Sequence, residues 1–261
     1  MSFQVNQTDI IDESQLLISI NNQLKKIPEP NKELMPGIKW GNYGELFTPA
    51  YWKAQYLMFN QNNTFSIDYK LGENIFEEVI ACLLGGFGLK AEIGLAAFER
   101  IKKHRLIHKG VKHEDIYNCL KKPFQTNKKK VHYRFPNQKA KYITTFLNRE
   151  DLDSIPLNDD IGLRDWLLSI KGIGPKTAAW ITRNYLNSEK VAIIDVHIYR
   201  ACLMMGLYRK YYDIQKDYPK LEKIFLNFCE ELEVQPSKMD ALIWLQMKAS
   251  NRSALKIINN K

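Results

Sequence analysis

The sequence predicts a mostly α-helical protein with a mixed, irregular N-terminal segment, and three observations carry that prediction. Apolar residues recur at helical spacing along most of the chain from about Asn74 onward. Proline, glycine and polar breaks cut that pattern into short segments. Strand signals are confined to the alternating FSIDYKL at 65–71 and the short β-branched run VAII at 191–194. With 261 residues, 45% of them hydrophobic, the chain can bury a substantial core in one or two domains.

Taken in order, residues 1–72 form an N-terminal extension rich in Pro, Gly and aromatics. Turns and irregular packing are expected there, with one short helix over Tyr51 to Phe59 opened by Pro49. Trp40, Phe47, Tyr51 and Trp52 read as packing residues. The domain proper is expected to span 73–261 and to hold eight to ten short helices. Phe76, Val79, Ile80 and Leu83 mark the first, Gly85, Gly86 and Gly88 interrupt it, and Ile93 to Ile101 resumes the stripe. Further helices are predicted over His113–Leu120, Gln138–Phe146, Gly162–Ser169, Pro175–Tyr185, Val196–Met205, Lys220–Leu232 and Ser237–Lys248. No internal repeat of solenoid length is present.

Charge bounds the partners. Thirty-eight Lys and Arg against 29 Asp and Glu leave +9, with a pI near 9.2, which favours a polyanion. No apolar run reaches membrane-spanning length and the N-terminus lacks a signal-peptide pattern, so a cytoplasmic, nucleoid-associated protein is expected. Cys82, Cys119, Cys202 and Cys229 form no CxxC pair. They read as reduced core thiols, and no metal or other cofactor is expected.

The chemistry concentrates between Trp166 and Arg200. In Lys171-Gly172-Ile173-Gly174-Pro175-Lys176 two glycines permit a tight turn, and Pro175 suits the start of the next helix, giving a hairpin over 163–185. Free amides of that turn, with the positive end of the following helix, make an anion site for a DNA phosphate. An ordinary capped corner reads equally well from the glycines alone. Lys176 opens the second helix, where the dipole disfavours an ammonium, and a neutral lysine amine is a nucleophile that forms Schiff bases. Asp195 follows VAII and precedes a helix, which is an N-cap position. A fixed carboxylate there suits a transition state that builds positive charge on a sugar ring. Singly, Asp195 reads as a cap and Lys176 as a surface lysine; together with the hairpin they make a constellation.

LLSIKGIGPKTA and AIIDVHIYR resemble the helix-hairpin-helix DNA glycosylase superfamily, specifically its bifunctional 8-oxoguanine glycosylase/lyases. HYRFPNQKAKYI at 132–143 and FEEVIACLLGGFGLKAEIGLAAF at 76–98 are similar to the archaeal-type branch. The resemblance, spanning about Asn74 to Lys256, implies a two-lobed helical fold. It further implies a monomer acting on double-stranded DNA that flips a damaged nucleotide out of the stack. Lys176 would attack C1′, expel an oxidised purine, 8-oxoguanine foremost, and support β-elimination as a lyase, with Asp195 steadying the sugar cation. Lys171, Gly172, Ile173, Gly174 and Thr177 would hold phosphates through the hairpin, and His197 would contact another. The small archaeal-type members end in a lysine used in base recognition. Here SALK aligns Lys256 with that terminus and leaves INNK, ending in Lys261, beyond it. Branches with an iron–sulfur cluster carry four clustered cysteines, which this chain lacks.

The basic run from Lys121 to Lys141 includes Arg134 and Lys139, expected to track a DNA strand; a solvated loop is the alternative. Trp180, one turn after Lys176, and Trp244 are candidates to stack on the flipped base, with core packing as the alternative for each. Excision of another modified base, a helix-hairpin-helix module without chemistry, and a basic structural or RNA-binding protein are the competing readings.

Overall fold

The computed structural model describes residues 13–60, 69–86, 88–125 and 130–250, without the side chains of 13–16. The chain divides into two compact units: Met1–Ile67 together with Ile194–Lys261, and Asp68–Ile193. The expected boundary at 72 lies near the first change of unit. Residues 1–67 share their unit with the C-terminal helices.

In the Asp68–Ile193 unit six helices surround one core: α3 (Ile75–Leu84), α4 (Ala91–Lys103), α5 (His113–Lys121), α6 (Pro136–Leu147), α7 (Asp160–Leu168) and α8 (Pro175–Leu186). Asn74 caps α3 through its side chain on the Glu77 N–H, and all but three residues of α3 are buried. A helix so nearly apolar all round must lie inside, and it packs on α4, α6 and α8. Fully buried Ile80, Phe98, Ile101, Ile143 and Phe146 fill the centre. Each contributes about 1.5–3 kcal/mol of apolar burial. Glu78, wholly buried, accepts the Leu71 and Gly72 N–H groups at 2.7 and 2.9 Å and so ties the entry loop to α3. A short hairpin, β3 (Phe124–Gln125) on β4 (Lys130–Val131), joins α5 to α6. Arg100 braces it, lying 3.4 Å from the Phe124 ring centre and donating to the Cys119, Lys122 and Pro123 carbonyls.

The other unit holds α1 (Glu13–Leu24), the pair β1 (Glu33–Met35) and β2 (Ile38–Lys39), α2 (Pro49–Asn60), α9 (Val196–Met204), α10 (Tyr218–Glu231) and α11 (Pro236–Ala249). Here α11 is central, packing on α2, α9 and α10. Helix α2 is fastened to distant sequence. Tyr51 donates to Gln246, Lys53 donates to the Leu232 carbonyl at the C-terminus of α10, and Tyr56 accepts the Gln235 N–H. The irregular stretch before α2 thus carries a strand pair and an unforeseen first helix.

The VAII run is buried but, among the described residues, belongs to no strand. Of FSIDYKL, 65–68 lie outside the described residues and 69–71 are not in a strand. The four cysteines are free thiols, three of them buried. Among the described residues no helix is long and apolar enough to cross a membrane, and no group of three or more His, Cys, Asp or Glu is placed to hold a metal.

Candidate nucleic-acid interface and active-site residues

The hairpin is built from below. Helix α7 ends at Leu168, and the buried Ile170 and Ile173 anchor the turn, the Ile173 N–H donating to the Ile170 carbonyl at 3.0 Å. Gly172 has φ +100°, a region L side chains avoid, and a Cβ there would overlap the Tyr142 ring and come within 3.1 Å of Leu83. Both conformation and packing therefore demand glycine. Gly174 differs: its φ of −102° is ordinary, and an added Cβ would meet nothing within 4 Å. Nothing in the protein requires glycine there, and its absent side chain keeps the mouth of α8 open.

Pro175 starts α8 without needing an amide donor, and the first intrahelical bond runs from the Ala178 N–H to the Gly174 carbonyl at 2.9 Å. The Lys176 and Thr177 amides precede it and carry the positive end of the helix. Lys171, Gly172, Gly174 and Lys176 are exposed and Thr177 is half-buried. The hairpin thus offers backbone donors to an anion and places an exposed lysine at its lip.

A clamp holds the hairpin from α7, and sequence reasoning missed it. Arg149 grips Asp151 through two nitrogens at 2.7 and 2.6 Å and donates to the Ser169 hydroxyl at 3.0 Å. Trp166 donates its indole N–H to the same carboxylate at 2.8 Å. The Arg149 hydrogen bonds, with the indole's help, hold the Asp151 carboxyl down at about 2. Ser169 is the C-cap of α7, so the clamp fixes where the turn begins. Trp166 packs half-buried against the core, which leaves its N–H free to reach that partner.

Asp195 is the N-cap of α9, its Oδ1 accepting the His197 and Ile198 N–H groups at 2.8 and 3.0 Å. The buried Tyr218 hydroxyl accepts the Ile194 N–H at 3.1 Å and so braces the backbone just before the carboxylate. No local pattern announces this contact, because the partner lies 24 residues away. His197 is half-buried, its ring edge-on to Trp244 with centroids 6.5 Å apart, and Lys248 lies 4.4 Å from the Trp244 ring centre. Trp244 is 36% exposed, whereas Trp180 is half-buried against Tyr69, centroids 6.0 Å apart. Lys256 and Lys261 lie outside the described residues.

Two members of the basic run part company. Arg134 is exposed, its guanidinium 5.0 Å from the Phe135 ring centre. Lys139 instead turns inward and donates to the Leu83 and Gly85 carbonyls at the C-terminus of α3, where its positive charge complements the helix dipole. Burial lowers its pKa, and its ammonium is occupied rather than held out for a phosphate. Tyr133 caps the same helix end on the Leu84 carbonyl at 2.6 Å.

Comparison with known proteins identifies the family. The family described as 8-oxoguanine DNA glycosylase matches residues 59–234. An 8-oxoguanine DNA glycosylase/AP lyase of Metallosphaera sedula is 33% identical over 127 residues, 44% of this chain and 59% of that protein. One from Methanocaldococcus jannaschii is 27% identical over 196 residues, 69% of this chain and 83% of that one. The M. jannaschii glycosylase/lyase crystallised with a 15mer DNA containing 8-oxoguanine shares the fold, with a TM-score of 0.50 and 24% identity over 77% of this chain and 89% of that one. With the family matched across most of its length, the chain belongs to the helix-hairpin-helix 8-oxoguanine DNA glycosylase family.

Proposed function

We propose that this chain excises 8-oxoguanine from double-stranded DNA and nicks the strand at the resulting sugar, with Lys176 as the nucleophile. The observation that carries the reading is the exposed Lys176 directly after a glycine hairpin whose Gly174 serves no need of the protein itself. The Lys171–Thr177 turn would take a phosphate on its amides, leaving the Lys176 amine beside the sugar.

The Lys176 nitrogen bonds to C1′ as the C1′–N9 bond breaks, the base leaving with the bonding pair and a proton from the amine. The C1′–O4′ bond then opens, O4′ taking a proton from solvent to become a hydroxyl, and leaves a protonated imine. Loss of a C2′ proton expels the 3′ phosphate, and water hydrolyses the imine to free the lysine. The Asp195 carboxylate, held by two amides, stabilises the positive charge that grows on the sugar. His197 and Arg134 would add phosphate contacts, while Trp180 and Trp244 are the aromatic faces available to the extruded base.

Borohydride trapping tests the reading. Wild-type protein is expected to form a covalent adduct with an 8-oxoguanine duplex and Lys176→Gln none, although it still binds the DNA. Asp195→Asn is expected to lower excision by orders of magnitude in a folded protein. An undiminished adduct with Lys176→Gln would remove Lys176 as nucleophile, and trapping on abasic DNA alone would point to a different base.

A further inference from the structure

The loop between α9 and α10 carries an aromatic pair that the reaction above does not use. Tyr211 is 78% exposed, more than any other large apolar or aromatic side chain among the described residues. Its ring meets Tyr212 edge-on with centroids 4.7 Å apart, and Lys220 lies 4.5 Å from the Tyr212 ring centre. Arg209, Lys210 and Lys216 are exposed beside them. The nearby acids are turned to backbone work: Asp213 accepts the Gln215 and Lys216 N–H groups, both at 2.9 Å, and Asp217 accepts the Asp213 N–H at 2.8 Å. What remains outward is a ring pair framed by four cations.

The loop is also held firmly. Tyr199 of α9 donates to the Tyr212 carbonyl at 2.7 Å, and Tyr208 donates to the Leu221 carbonyl at 2.7 Å. Tyr199 lies only about 6 Å along α9 from Asp195, one helical turn. One tyrosine side chain and a hydrogen bond then reach Tyr212, a span of a few nucleotides at about 3.4 Å of rise per base.

We propose that Tyr211 and Tyr212, with Arg209, Lys210 and Lys220, form a second DNA contact that stacks on a base of a single-stranded stretch a few nucleotides from the lesion. Aromatic faces accept any unstacked base, cations follow its phosphates, and a rigid mount avoids an ordering cost. An intact duplex offers no free base face, so the contact is selective for strands that are locally unpaired. This inference rests on the DNA-cleaving reading for its setting, but its test is independent of chemistry.

The experiment compares wild type, Tyr211→Ala and Tyr211→Phe for binding to a single-stranded 12-mer and to the matching intact 8-oxoguanine duplex, with borohydride trapping on an abasic duplex at saturating DNA. Tyr211→Ala is expected to bind the single strand at least fivefold more weakly. Its duplex affinity and trapping should stay within twofold, and Tyr211→Phe should match wild type on all three. Two results would each overturn the stacking contact: Tyr211→Ala within twofold on the single strand, or Tyr211→Phe as weak as Tyr211→Ala. Failure of wild type to trap would instead strike the glycosylase/lyase reading and leave the binding comparison decisive.

Discussion

The two hairpin glycines make opposite predictions on substitution by alanine. At Gly172 a methyl group must adopt φ +100° and displace the Tyr142 ring or the hairpin itself. Backbone strain of this kind costs about 1–3 kcal/mol, and forcing an aromatic ring aside adds about 1–3 kcal/mol. A loss of about 2–6 kcal/mol follows, and at roughly 2–4 °C per kcal/mol the melting temperature falls by roughly 5–20 °C. At Gly174 the methyl group enters open space at an ordinary φ. Alanine caps less well than glycine by about 1 kcal/mol, and a stiffer unfolded chain returns about 0.4–1 kcal/mol. Stability is therefore unchanged within about 1 kcal/mol. On the proposed function DNA affinity falls, because the methyl group would sit where a phosphate approaches. Loss of two hydrogen bonds at about 0.5–1.5 kcal/mol each corresponds to roughly 5- to 150-fold weaker binding. Thermal melts and fluorescence anisotropy on a labelled duplex check both arms. Wild-type affinity in Gly174→Ala, or wild-type stability in Gly172→Ala, would refute the reasoning.

Three further outcomes are expected. Asp151 has a folded-state pKa near 2, below its unfolded value, so its contribution is present above about pH 4 and lost as pH falls toward 2. In urea titrations Asp151→Asn should be less stable than wild type at pH 7, with the gap narrowing between about pH 4 and pH 2. Tyr218→Phe leaves the buried Ile194 N–H without its acceptor. It should cost about 1–3 kcal/mol in denaturant and lower the single-turnover excision rate more than DNA affinity, since the brace lies beside Asp195. Lys139→Met removes the cap from the Leu83 and Gly85 carbonyls; it should lower the melting temperature yet leave duplex affinity within about twofold, whereas Arg134→Ala should weaken binding and reduce the salt slope by about 1.

The parts of the molecule legible in the sequence are those governed by local rules. The α7–α8 hairpin is read from Gly172, Gly174 and Pro175 because turn geometry and helix initiation are decided within a few residues. Asp195 is read as a cap for the same reason. Long-range partners were illegible. Lys139 looks like one more cation in a basic run, yet it satisfies carbonyls 54 and 56 residues away. Val191 to Ile194 resembles a strand because it is buried and rich in β-branched residues, but among the described residues no strand pairs with it, and the Ile194 amide turns to a tyrosine hydroxyl instead. The Arg149–Asp151–Trp166 clamp joins residues with no motif of their own. The N-terminal segment's attachment to α10 and α11 rests on contacts across nearly 200 residues, beyond any periodicity.

The central claim is that the Lys176 amine becomes covalently joined to the sugar. The most direct measurement is peptide mapping by mass spectrometry of the borohydride-reduced complex formed on an 8-oxoguanine duplex. The sugar remnant is predicted on Lys176, within Gly172-Ile173-Gly174-Pro175-Lys176-Thr177. A remnant on Lys171, or on any other lysine, would contradict it.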